Sequence, residues 1–312
     1  MVCCNLSSTG NTVAASLWQR WMGGAAIAGA ACAVALWFLA PISVSAALTA
    51  GIAFALFVPS LLVAFSFVVA LASRASTFSI GDMLYLIRAL MFEVIDFNLA
   101  ILAMMGSKPA TNQPPGRVTH RPVLLIHGFA CNHSVWREWL GRLEAHGFGP
   151  VRVIDLEPPF ADIEHHAAHV ERELRALFQD SGDIPVSIIG HSMGGLVARA
   201  ALRRIGPEII SRIVTLATPH HGTALARLFP NERLLLQMVP NSRWLNQLNA
   251  EQEAGCAVPI TSIYSLEDNL VVPARSAVLE HAHPIELRGI GHLGMLSSRR
   301  AIDHALNSLA AD

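Results

Sequence analysis

Between Trp21 and Ser73 the chain carries not one Asp, Glu, Lys or Arg. A run of that length is satisfied either inside protein or inside lipid. A bilayer core takes about 20 apolar residues per helix, so the run is too long for one span. Pro41 to Ser45 divides it into two, near residues 22–40 and 46–72. The expectation is a transmembrane helical hairpin within residues 1–76. Gly24, Ala28 and Ala31/Cys32 form a small-residue stripe that lets the helices approach, and Pro59 would kink the second span. A cleaved leader ending at Val44-Ser45-Ala46 fits less well. Its lead-in is long, carries only Arg20, and would leave the second apolar segment in place. Arg20 precedes the first span, Arg74 and Arg88 follow the second, and the turn is uncharged; the positive-inside rule then puts both outer ends in the cytoplasm.

Residues 77–105 are apolar but contain Asp82, Arg88, Glu93 and Asp96. At 100° per residue, Asp82, Tyr85, Arg88, Glu93 and Asp96 share one arc, which predicts an amphipathic helix lying at the membrane surface or packed on the following domain. Residues 106–121, GSKPATNQPPGRVTHR, read as a linker. From 122 onward strand-like and helix-like segments alternate to the end, which predicts a mostly parallel sheet with helices on both faces.

The net charge of −1 and the scattered basic residues exclude a nucleic-acid partner. Cysteines at 3, 4, 32, 131 and 256 suggest neither a disulfide framework nor a zinc site. The paired histidines, His165-His166, His220-His221 and His281/His283, come with no HExxH pattern, so no metal is expected.

Within the alternating region, VSIIG runs into His191-Ser192-Met193-Gly194-Gly195 and then into an amphipathic helix. Gly190-His191-Ser192-Met193-Gly194 fits G-x-S-x-G, the strand-to-helix elbow that exposes a serine hydroxyl above a sheet. Gly190 and Gly194 leave room where neighbouring chains crowd the turn, and the helix N-terminus favours developing negative charge. A serine needs a base, and the base an orienting acid. In the order this elbow demands, Asp268 follows a strand in ITSIYSLEDNLVVP, and His292 lies in the glycine-flanked GIGHLGML. Asp268 is preferred to Glu267, which is left to face solvent. Oxyanion donors are expected from the backbone N–H of Met193 and of Phe129, in LLIHGFACN. His127 reads as a structural residue behind that loop.

Together HGF, GHSMGG, TLATPHHGT, SLEDNLVVP and GIGHLGML resemble a bacterial triacylglycerol lipase of the α/β-hydrolase family, over roughly residues 120–310. The resemblance implies an α/β-hydrolase fold trimmed of its first strands. It implies Ser192 as nucleophile, His292 as base, Asp268 as acid, Phe129 and Met193 as oxyanion donors, and no cofactor. His127-Gly128-Phe129-Ala130 departs from the HGGG loop; in similar lipases a bulky residue here accompanies medium or long acyl chains. Residues 224–258, rich in leucine, are long for a connection and are expected to form a lid or acyl-binding wall, or else an ordinary packed excursion. The expected function is cleavage of lipid carboxylic esters by a serine hydrolase anchored in a bacterial inner membrane, its catalytic domain cytoplasmic. The expected partners are a hydrophobic ester substrate and the membrane, with no obligate protein partner. A thioesterase, an acyltransferase or a silent lipid-binding scaffold would carry the same strings.

Overall fold

The structure is a computed structural model that describes residues 12–39, 43–73, 79–107, 121–253 and 258–311. The sequence-derived linker falls mostly outside the described residues, as does Arg74. Three long helices come first: α1 (Val13–Leu39), α2 (Val44–Ala72) and α3 (Ile80–Met105). The hydrolase part follows as β1 (Val123–Ile126), α4 (Arg137–Ala145), β2 (Val151–Ile154), α5 (Ile163–Asp180), β3 (Val186–His191), α6 (Met193–Ile205) and β4 (Ile210–Leu216). Then come α7 (Arg233–Gln237), α8 (Arg243–Glu253), β5 (Ile260–Ser265), β6 (His283–Leu287), α9 (Gly294–Ser297) and α10 (Arg299–Ala310).

The six strands form one fully parallel sheet in the order β2-β1-β3-β4-β5-β6. The inner strands β1, β3, β4 and β5 are largely buried on both faces, the edge strands β2 and β6 less so, and alternate residues serve opposite sides. Leu124 and Ile126 point into a core with α5 and α6, while Val123 and Leu125 point into one with α4 and α10. β1 lies between β2 and β3, so the chain reverses direction across the sheet there. Such a switch opens a crevice at the carboxyl ends of the strands, and the β1 and β3 loops meet in it.

The first two helices are longer than the sequence suggested, beginning at Val13 and Val44. Both are long and apolar enough to cross a membrane. They pack along each other, but through a stripe shifted by one residue from Gly24/Ala28/Ala31. Ala25, Gly29 and Ala33 are buried, whereas Gly24, Ala28 and Ala31 are exposed. Gly51 of α2 completes the contact: a Cβ there would sit 2.5 Å from the Gly29 carbonyl oxygen. A helical stripe of small residues fixes spacing, not phase, and the phase belongs to the position of Gly51. Helix α2 runs unbroken through Pro59.

The lower ends of α1 and α2 rest on the hydrolase part. The Trp18 indole donates to the Ala130 carbonyl (2.7 Å), and Gln19 donates to the Met105 carbonyl (2.6 Å). Asn269 donates to the Ser66 hydroxyl of α2 (2.8 Å). Residues 22–39 are left rising about 27 Å above that base at 1.5 Å per residue.

Helix α3 is capped by Ser79 and Asp82 in a capping box. Most of its polar arc faces the protein rather than a headgroup layer. Asp82 pairs with Arg288 (2.5 Å), whose guanidinium also lies over the Tyr85 ring. Asp96 accepts from Ser297 (2.9 Å), and Glu93 is 1% exposed. Arg88 stays at the surface. The outer face carries Ile80, Leu84, Ile87, Met91, Ile95 and Leu99, all strongly exposed. This helix is polar inward and apolar outward, the reverse of a helix on a water-soluble domain.

Candidate active site

Ser192 sits between the end of β3 and the start of α6 with φ 56° and ψ −127°. An L-residue in that region costs about 1–3 kcal/mol, and the surroundings hold it there. The Ser192 N–H donates to the Leu216 carbonyl of β4 (2.8 Å). A Cβ on Gly190 would lie 2.7 Å from Gly195 Cα, and one on Gly194 would overlap the Ile126 carbonyl. Gly128 lets the β1 loop run against the serine: a Cβ there would lie 2.8 Å from Ser192 Cβ.

His292 and Asp268 come together from loops after β6 and β5. His292 Nδ1 is 3.1 and 3.0 Å from the two Asp268 oxygens. Asp268 Oδ1 also accepts from the Leu270 and Val271 N–H groups, both at 2.8 Å. A carboxylate fixed by two backbone donors orients the imidazole so that Nε2 is the free nitrogen. Burial opposes charge on His292, but the Asp268 charge and hydrogen bond, helped by Glu93, outweigh it and raise its pKa above the ordinary 6.5. The Ser192 hydroxyl and His292 line one cavity of about 270 Å³. No hydrogen bond joins their side chains, a looseness common before substrate arrives.

Phe129 lines the same cavity, and Met193 opens α6 beside the serine. Among the described residues, neither the Phe129 nor the Met193 N–H is spent on a protein acceptor. His127 lies behind the loop. Its Nε2 accepts from the Leu156 N–H (3.0 Å), which makes Nδ1 the protonated nitrogen donating to the Gly128 carbonyl (2.8 Å). Burial drives its pKa down, so it stays neutral.

Glu267 does not face solvent. It is 1% exposed, pairs with Arg288 (3.0 Å) and accepts from the Gly289 N–H (2.6 Å). The buried carboxylate is compensated by the half-buried guanidinium and the backbone N–H, and the arginine comes from just past the end of β6, 21 residues along the chain.

The cavity walls are apolar and come from two sources. Leu225, Ala226 and Phe229 before α7, with Leu235 and Met238, supply one wall. Trp18 of α1 and Phe97, Ile101 and Met104 of α3 supply another. Sequence reasoning missed this second wall, because nothing local in α1 or α3 marks those residues as facing a serine. Helix α8 is tied down behind α7: Arg199, fully buried, donates to Gln252 (2.6 Å) and Asn249 (2.8 Å). Residues 254–257 lie outside the described residues. Among the described residues no cluster of His, Cys, Asp and Glu is arranged to hold a metal ion.

The parallel sheet, its switch point and the elbow serine define an α/β-hydrolase fold. Residues 164–295 match the PGAP1-like alpha/beta domain family. A triacylglycerol lipase of Burkholderia plantarii is 31% identical over 137 residues, covering 40% of this chain and 37% of that protein. A triacylglycerol lipase of Pseudarthrobacter phenanthrenivorans is 32% identical over 120 residues, covering 35% of this chain and 36% of that protein. The chain therefore spans little more than a third of the length of these curated relatives. Among solved structures, Aspergillus fumigatus lipase B superposes with a TM-score of 0.55 at 21% identity, over 62% of this chain and 53% of that one.

Proposed function

We propose that the protein is a serine hydrolase that cleaves carboxylic esters of lipids through an acyl-enzyme intermediate, at a membrane. The observation that carries this reading is the cavity at Ser192: an elbow hydroxyl and an Asp268-oriented imidazole open into an apolar chamber. The names of the relatives, lipases in both cases, point the same way.

In this reading His292 Nε2 takes the Ser192 proton as Oγ attacks the ester carbonyl. The oxyanion lies between the Phe129 and Met193 N–H groups, donors worth roughly 2.7–4 kcal/mol each where measured in other enzymes. The tetrahedral intermediate collapses, His292 protonates the departing alcohol, and the acyl group stays on Ser192. Water, deprotonated by His292, then repeats the sequence and releases the carboxylic acid.

The hairpin of α1 and α2 anchors the chain, with both outer ends and the hydrolase part on the cytoplasmic face of an inner membrane. The base of α1, where Trp18 enters the cavity wall, then lies at the lipid boundary. Phe229 lines the cavity, and Phe160 stacks edge-on against Phe129 (5.5 Å between ring centroids). With Leu228, both are about half exposed, apolar surface beside the site that suits an acyl chain arriving from lipid. The 224–258 segment acts as an acyl-binding wall through α7. The test is a chain-length series of esters given to the full chain in vesicles and in dilute solution. The reading expects higher rates on long-chain esters in vesicles; equal rates on short soluble esters would overturn it.

A further inference from the structure

Glu93 is a buried acid that the reaction above does not use. It lies on α3, outside the sheet, and is 1% exposed. Its Oε1 accepts from the Leu293 N–H (2.8 Å) and its Oε2 from the Gly294 N–H (2.9 Å), the two residues that follow His292. Gly291, just before His292, comes so close that a Cβ there would overlap the Glu93 carboxylate. The carboxylate therefore fills the turn 291–294 from beneath. The His292 N–H itself is held by Asn269 Oδ1 (3.0 Å), and Asn269 is bonded to Ser66 of α2. The glycine-flanked loop has little stiffness of its own, and both of these clamps come from or lead to the N-terminal helices.

Resting on the hydrolase reading, the geometry points to Glu93 as a positioning residue: through its carboxylate, α3 clamps the His292 loop and sets the imidazole between Asp268 and Ser192. Seating of the N-terminal helices on the domain and competence of the site then become one event. Glu93 acts on His292 in a second way, by charge. The groups facing His292 are Asp268 at Nδ1, the Glu93 carboxylate, and His191, whose ring centroid is 4.8 Å away and whose Nε2–H donates to the His292 carbonyl. Burial pushes the Glu93 carboxyl up to about 7 against its two N–H donors, so its charge is present above that pH and fades below it. Where present, it joins the Asp268 charge in favouring the imidazolium, while His191, kept neutral by burial, adds none. Asp96, one turn along α3, bonds Ser297 rather than the 291–294 turn and serves as an internal control.

The test uses the full chain in detergent micelles, with Glu93→Gln, Glu93→Asp and Asp96→Asn. Glutamine keeps the size but loses the charge, and its amide cannot accept from both N–H groups. The expected result is a kcat about tenfold lower, a KM within about twofold of the parent, and an acid limb of the pH–rate profile moved to lower pH. Aspartate keeps the charge but not the reach, so kcat falls while the limb stays. Asp96→Asn matches the parent in both. A Glu93→Gln variant with the parent kcat, a lowered kcat with an unmoved limb, or an equal loss in Asp96→Asn would each overturn the proposal. Should the glutamine variant not fold, Glu93→Asp decides: lowered kcat with an unmoved limb supports, parent kcat overturns. The downfield Nδ1–H resonance of His292, assigned by its loss in His292→Ala, gives a readout independent of hydrolysis. It should shift in Glu93→Gln; an unmoved resonance overturns the positioning role. A parent that hydrolyses no ester while that resonance still shifts would defeat the hydrolase reading and leave the clamp standing.

Discussion

Deleting α3 should unfold or severely weaken the hydrolase part, although the sequence presents 122–312 as a self-contained catalytic domain. Ile101 and Met104 are each 1% exposed and belong to the same core as Val123, Leu125 and α10. Full burial of such side chains contributes about 1.5–3 kcal/mol apiece, so these two alone contribute roughly 3–6 kcal/mol. Domains of this size are stable by about 5–15 kcal/mol in total. The comparison is between a fragment of residues 79–312 and one of residues 121–312, unfolded in urea and followed by the fluorescence of the buried Trp136 and Trp139. With a slope of about 1–3 kcal/mol per M, the shorter fragment should unfold at least about 1 M earlier, or show no folded baseline. Equal midpoints would refute the claim that α3 is part of the core.

Two further expectations rest on the site itself. Gly190→Ala forces a Cβ to within 2.7 Å of Gly195 backbone atoms, so it should cost about 1–3 kcal/mol of stability and lower kcat, measured by urea unfolding and ester hydrolysis; an unaffected variant would mean the elbow is less crowded than described. The base must be neutral to accept a proton, and the His292 pKa is raised above 6.5. The rate should therefore rise with pH through a limb centred above 6.5 and be lost as pH falls through it; a profile flat from pH 5 to 8 would contradict a histidine base.

How far the sequence could be read follows from the range of the forces involved. The elbow was legible because its demands are local: a strand, a glycine on each side of a serine dipeptide frame, and a helix, all within a dozen residues. The parallel sheet was legible from the alternation of short apolar runs with amphipathic segments. The loops bearing Asp268 and His292 could be named by order along the chain, and the structure brings these two side chains into hydrogen-bond contact. What stayed hidden depends on partners outside any local window, from 21 to 206 residues away. Glu267 is buried because Arg288 of the β6 end meets it. The polar arc of α3 turns inward because Arg288, Leu293, Gly294 and Ser297 supply its partners. The packing stripe of α1 is set by Gly51 on the neighbouring helix. Periodicity reveals that a helix has two faces, but not which of them meets protein when the other meets lipid.

The central claim is that Ser192 is an activated nucleophile. Treating the full chain in vesicles with a fluorophosphonate and mapping the adduct by mass spectrometry tests it directly. The account predicts one phosphonylated peptide, modified at Ser192, with labelling abolished in Ser192→Ala and strongly slowed in His292→Ala. Labelling that persists in Ser192→Ala, or a parent chain that takes up no probe, would contradict it.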